Sequence, residues 1–307
     1  GTVPGGRPFM LFGRIHTVAA AVAVLAATAA LLLARIGSVG LWDPWELETA
    51  EAAQRLASGK DGGGYTGFSV WFVAYGFRLF GVHEWSGRLP IALCGLLTVL
   101  VAFLLAGRDR GPRAGLYAAV VAASTTLFLF NSRLMIGEAP AFAAQALVAL
   151  CATGALFPPD ERSPGDWRGA LGWSSALVVS TLFAVQTRGA LLGALPPLLA
   201  GSAVALVSGR LADPRQDPPR TLGAYTLSLL TLVLVALVAR DILADRAEYS
   251  PWLGGRAGAG QPETFEATLE AVFHSFAPWS PLLPLALGRM APTSAVGGER
   301  RAAFRSM

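Results

Sequence analysis

Apolar residues in this chain are gathered into runs of about 20, the length a helix needs to cross the ~30 Å hydrocarbon layer of a bilayer. Eight such segments occur, near residues 17–36, 86–106, 114–131, 138–157, 169–186, 189–208, 221–240 and 267–288. A backbone in lipid must satisfy its own hydrogen bonds, so runs of this length are read as spanning helices. Composition agrees. Of the 307 residues, 53% are hydrophobic and 14% charged, where a soluble domain carries about 25% charge. Mean hydropathy is +0.52. A soluble bundle of buried helices is the alternative, and it has no need of runs this long. The expected fold is all-α and polytopic, with about eight spans in one domain.

The first run, Thr17 to Ile36, follows Arg7 and Arg14 and looks like the apolar part of a signal peptide. It is too long for one and reads as a retained span. A further apolar stretch, Tyr65 to Val82, carries Trp71, Tyr75 and Arg78; it reads as an interfacial or re-entrant helix. Cys94 and Cys151 lie within apolar runs and read as small buried hydrophobes. No basic tract or basic helix points to nucleic acid.

Charge orients the spans. With the N-terminus in the cytoplasm and alternation thereafter, the inner segments hold 14 of the 24 basic residues and 7 of the 20 acidic ones, a net +7. The outer segments hold the other 10 basic and 13 acidic residues, a net −3. This is the sign that positive-inside asymmetry requires. The inner loops at 157–167 and 212–220 are short and Pro-rich. The outer loops at 37–64 and 241–266 are long and chemically mixed, as loops that hold sites tend to be. Chemistry is therefore expected on the extracytoplasmic side.

Three outer points could carry it. In GLWDPWELETAEAAQRLASG (40–59), Asp43 precedes Pro44, an arrangement that suits a helix cap followed by the first helical position. The helix would run to about Ser58, with Glu51 and Arg55 four apart on one face. Glu46, Glu48 and Glu51 crowd its first half. They suit a solvated helix N-terminus; the functional alternative makes Asp43 or Glu46 a general base at the membrane surface. In NSRLMIGEAP (131–140), Glu138 sits where one span ends and the next begins. An ionisable group there needs a partner, and Arg133 is near in sequence. In FAVQTRGALL (183–192), Arg188 interrupts nearly continuous apolar sequence. It is either a snorkelling interfacial cation or a fixed guanidinium that grips a phosphate. Two acidic points and an Arg on one face suit a lipid-linked phosphosugar, with a carboxylate to deprotonate an acceptor hydroxyl and Arg188, with Arg88, to hold the phosphate. His274, a lone His in an apolar run, reads as packed or interfacial.

LWDPWELETAEAAQRLASG resembles the first periplasmic loop of the bacterial aminoarabinose lipid A transferases and the related protein O-mannosyltransferases. In that superfamily the loop commonly reads Leu-Trp-x-Pro-Asp-Glu, then Arg-Tyr-Ala-Glu, then Ala-Ser-Gly. WSGRLPIALCGLLTVLVAFLL (85–105) resembles the Arg-Leu-Pro span that follows. MIGEAPAFAAQALVA (135–149) matches the second-loop acidic-Pro motif, VQTRGALLGALPPLLAG (185–201) the Thr-Lys-Gly turn, and FAPWSPLLPLAL (276–287) a late Leu-Pro-Trp-x-x-Leu-Leu-Pro segment. Five ordered matches thus run from residue 41 to 287.

The resemblance implies a GT-C-like fold of the glycosyltransferase family 39 kind, with interfacial helices in the first outer loop. It implies transfer of a sugar from a polyprenyl-phosphate carrier to an extracytoplasmic lipid, glycan or protein, in the plasma membrane. Glu46 falls on the family's Glu, Glu138 on the second-loop acid and Arg188 on the family's Lys. Trp45 stands where the family has its catalytic Asp, which turns attention to Asp43. The family's Lys-Pro-Pro stretch is replaced by GGGYTGFSVW (62–71). The family also continues beyond residue 287, so this chain is expected to match its N-terminal part. Cofactor needs stay open; Asp43 and Glu138 are the candidates to hold a divalent metal. Two other classes stay open as well. A flippase for a lipid-linked intermediate predicts charges in mid-span, and an inactive scaffold predicts no donor binding.

Overall fold

In the computed structural model the residues described are 8–38, 40, 41, 46–60, 68–136, 138–157, 167–207, 218–244, 274–282 and 284. They form helices throughout, with no strand among them. The helices are α1 (Pro8–Leu33), α2 (Leu47–Ala57), α3 (Phe68–Phe80), α4 (Glu84–Arg110), α5 (Pro112–Ser124), α6 (Thr126–Asn131), α7 (Glu138–Leu156), α8 (Trp167–Gly189), a π-helical turn (Ala190–Ala194), α9 (Leu195–Val207) and α10 (Pro218–Ala244). Among the described residues, four stretches are long and apolar enough to cross a membrane: Glu84–Arg108, Glu138–Leu156, Trp167–Val207 and Thr221–Arg240.

The third of these, 41 residues long, is two helices. Arg188 leaves helical geometry at φ −142° and ψ 20°, and Gly189 follows at φ 76°, a left-handed value that glycine tolerates. Gly193 then lies so close to the Ala184 carbonyl oxygen that a Cβ there would collide with it. Nine residues along an unbroken helix would separate the two by about 13 Å, so the chain doubles back at Arg188–Gly189.

Side-chain contacts give the helix directions. Arg88 near the start of α4 lies by Met135, just before α7, while Arg108 at its end bonds the Phe157 carbonyl just after α7. So α4 and α7 run parallel. Trp173 of α8 meets Gly154 late in α7, and Arg188 meets Glu138 at its start, so α8 runs opposite. Leu192 lies by Gln145 and Gly201 by Ala152, so α9 runs with α7. In α10, Gly223 touches Ala155 and Thr231 reaches Leu198, so α10 returns. The direction alternates from α7 to α10.

Small residues permit this packing. Pro90 within α4 has no N–H to give the Ser86 carbonyl, and that oxygen lies against Gly76 of α3, where a Cβ would collide with it. One core joins α2, α3, α4, Met135 and the start of α7. A second joins α7, α8, α9 and α10. Outward-facing Leu182, Leu229, Leu232 and Val235 remain exposed, as lipid-facing residues do.

Two expectations need correction. The helix of the first loop begins at Leu47 with Glu46 as its cap residue, in helical geometry and with no side-chain cap bond. Asp43 is therefore not the cap of the described helix, and it lies outside the described residues. The run 114–131 is not one helix: it breaks at Thr125 (φ −70°, ψ 117°), where the Thr126 N–H bonds Ala277 O instead. Of the run 267–288, residues 274–282 and 284 are described: helical residues at 274–275, turns, and a 3-10 helix, Ser280–Leu282, beside Pro278 and Pro281; the rest lies outside the described residues. His274 there is exposed. The described part of the stretch 65–82 forms α3, which buries Val70, Val73, Ala74 and Phe77 and exposes Trp71 and Tyr75.

Candidate functional site

Glu46, Arg88, Glu138 and Arg188 all lie at the same end of the bundle, opposite Arg108 and Trp173. Within that end they form two clusters of contrasting character.

The first is buried. Glu46 is 0% exposed and Arg88 2%. The guanidinium of Arg88 grips the carboxylate as a fork: Nε donates to Oε1 at 2.9 Å and Nη2 to Oε2 at 2.6 Å. Its Nη1 also donates to Ile36 O and its Nη2 to Gly40 O, each at 2.9 Å. The Met135 backbone N–H also donates to Oε1, at 2.9 Å. Buried charges persist only when paired and hydrogen-bonded in this way. The carboxylate is thus turned to Arg88 and Met135 and away from solvent, and the guanidinium with it. In this structure Glu46, expected as base, and Arg88, expected as phosphate contact, face each other rather than an open surface.

The second cluster is open. Glu138 in the first turn of α7 and Arg188 at the end of α8 form an ion pair, with side chains 26% and 43% exposed. Each sits where the helix dipole favours its sign. The partner of Glu138 is thus Arg188 and not Arg133. Arg133 instead donates to Leu31 O and Ala34 O, 2.7 Å each, capping the end of α1. The Arg188 turn is held from both sides. Thr187 Oγ1 donates to Ala184 O at 2.9 Å, and Gln145 Nε2 to Leu192 O at 2.6 Å.

Beside this cluster stands an aromatic group that sequence reasoning did not single out. Phe68 and Phe72 of α3 meet Phe183 of α8 edge to face, with ring centroids 5.6 and 6.2 Å from its own, and stand 5.2 Å from each other. Only the aromatic content of 65–82 hinted at it. The Met135 N–H and the Ile36 and Gly40 carbonyls carry no sequence signal, since they are backbone groups. Among the described residues no three His, Cys, Asp or Glu side chains gather as a metal site. Glu138 offers one carboxylate.

The family model described as dolichyl-phosphate-mannose-protein mannosyltransferase matches residues 68–239. ArnT from Cupriavidus metallidurans in the apo state shares the fold, with a TM-score of 0.62 and 20% identity over 97% of this chain and 52% of that one. The same protein bound to undecaprenyl phosphate gives a TM-score of 0.64 and 20% identity over 93% and 52%. The chain spans about half the length of these structures, each covered to 52%. No curated protein matches it.

Proposed function

The chain belongs to the dolichyl-phosphate-mannose-protein mannosyltransferase family, and from that premise we propose that it is a membrane glycosyltransferase, moving a sugar from a polyprenyl-phosphate donor to an extracytoplasmic acceptor. Arg188 holds the donor phosphate and Glu138 orients it. Asp43, between the end of α1 and the start of α2 in sequence, is the candidate base. The acceptor is a lipid, glycan or protein hydroxyl, and the sugar a hexose or pentose.

The observation that carries this reading is the half-open Glu138–Arg188 pair. A surface ion pair is worth about 0–1 kcal/mol, so an incoming phosphate can displace or share the guanidinium at little cost. Arg suits the task because its planar fork matches phosphate oxygens. The exposed faces of α3 and α8 beside the aromatic group suit a prenyl chain, with its phosphate at the bundle end.

In the inverting step, the acceptor oxygen bonds the anomeric carbon as the carbon–oxygen bond to phosphate breaks. The hydroxyl proton passes to the carboxylate. The electron pair leaves with polyprenyl phosphate, whose charge Arg188 stabilises. Whether Asp43 and Glu138 also hold a divalent cation is a separate proposal, tested by chelation.

Undecaprenyl phosphate binding in nanodiscs decides the matter. A charge-assisted hydrogen bond contributes about 1.5–3 kcal/mol, so Arg188→Ala should weaken binding by about 10- to 100-fold. Equal binding by wild type and variant would sink the donor-site reading.

A further inference from the structure

We propose that Glu46 and Arg88 are positioning residues: a buried latch that fixes the loop before α7 and so presents Glu138 to Arg188. The proposal rests on the reading of Arg188 as donor-phosphate ligand.

The latch ties four stretches of chain that are remote in sequence. Arg88 comes from α4. Among the described residues it holds Glu46 at the start of α2, and Ile36 and Gly40 beyond the end of α1. The carboxylate then reaches Met135 in the loop between α6 and α7. Met135 is three residues before Glu138, so their Cα atoms are at most about 11 Å apart. The same loop is held elsewhere. Met135 is fully buried, with its Sδ packed where a Cβ on Gly87 would collide. Arg133 ties the loop to the α1 carbonyls. Glu138 leaves this fixed loop as the first residue of α7 and meets Arg188 across the gap to α8. Loosening the latch frees the loop, and with it the orientation of the pair that would face the phosphate.

A direct role for Arg88 on phosphate makes the opposite prediction. Glu46→Gln would then release a cation from its counter-charge and strengthen phosphate binding, and Arg88→Lys would keep the charge and retain it. The latch predicts that both variants weaken binding, because each breaks the fork. It also predicts that the loop opens. A Met135→Cys reporter, in a chain with Cys94 and Cys151 changed to Ala, reads that opening as reaction with a membrane-impermeant maleimide.

The experiment titrates undecaprenyl phosphate against the full chain in nanodiscs and times maleimide labelling in parallel. For Glu46→Gln and Arg88→Lys, the expected result is affinity lower by about tenfold and labelling faster by about tenfold. The double variant should be no worse than either single, since the two act as one unit. Stronger binding by Glu46→Gln, or labelling unchanged in both variants, overturns the latch. If Glu46→Gln is not monodisperse, Arg88→Lys, which keeps the charge and loses the fork, carries the same test. If wild type binds no undecaprenyl phosphate, the donor reading falls and the labelling rates still decide the latch.

Discussion

Arg88 and Arg188 look alike as residues of apolar sequence near a membrane boundary, and their surroundings separate them. Arg88 is enclosed, with its fork spent on Glu46 and two carbonyls. Arg188 keeps 43% of its side chain exposed. The expected consequences differ in kind. Removing one partner of a buried pair strands the other charge and costs about 3–5 kcal/mol. Glu46→Ala and Arg88→Met should therefore lower the thermal midpoint in detergent markedly. Arg188→Ala should change stability by less than about 1 kcal/mol while it impairs donor binding. The exposed Glu51–Arg55 pair, 3.9 Å apart with both side chains 57% exposed, should matter less still, with Glu51→Ala within about 0.5 kcal/mol. Equal losses for Arg88→Met and Arg188→Ala would contradict this division. That a carboxylate belonged in the first loop was legible in the sequence. That Glu46 turns inward was not, because burial depends on Met135, 89 residues away.

At the scale of elements, periodic apolar runs placed helices well, since length and hydropathy are local properties. The breaks were legible only where a residue type announced them. Arg188–Gly189 did so, and the structure turns the chain there. Thr125 did not: Ser124 and Thr125 turn their hydroxyls back onto Val120 and Val121 carbonyls, and a distant segment at Ala277 takes the free N–H. The start of α2 was misplaced for a related reason, as Glu46 spends its carboxylate on Arg88 and leaves the helix end without a side-chain cap. The α8–α9 turn makes a prediction of its own. Gly189 holds φ 76°, so Gly189→Ala should cost about 1–2 kcal/mol through the left-handed strain. Gly193→Val should cost about 1–3 kcal/mol by driving the π-helical turn off the Ala184 carbonyl. Thermal unfolding in detergent reads both. Gly172, with open space around it, is the control: Gly172→Ala should be neutral or mildly stabilising, because it sits within α8. A Gly193→Val as stable as wild type would mean that the π-helical turn does not pack against the Ala184 carbonyl of α8.

The whole molecule must also face one way in its membrane. The alternation of helix direction puts Glu46, Arg88, Glu138 and Arg188 at one end, and Arg108, stacked 5.3 Å over Trp173, at the other. The end that holds Arg108 also holds Arg110 and Arg113, and inner segments as a group carry net +7 against −3 outside. Cationic loops stay on the cytoplasmic side, so the pair proposed to hold the donor is expected to face outward. Two exposed positions test this. Lys60 follows α2 at the candidate-site end, and Arg110 closes α4 at the other. In a chain with Cys94 and Cys151 changed to Ala, a membrane-impermeant maleimide added to intact cells should label Lys60→Cys and not Arg110→Cys. Arg110→Cys should react only after the membrane is permeabilised. The reverse pattern would put the Glu138–Arg188 pair in the cytoplasm, where an extracytoplasmic acceptor could not reach it, and the proposed reaction would fail even if undecaprenyl phosphate still bound.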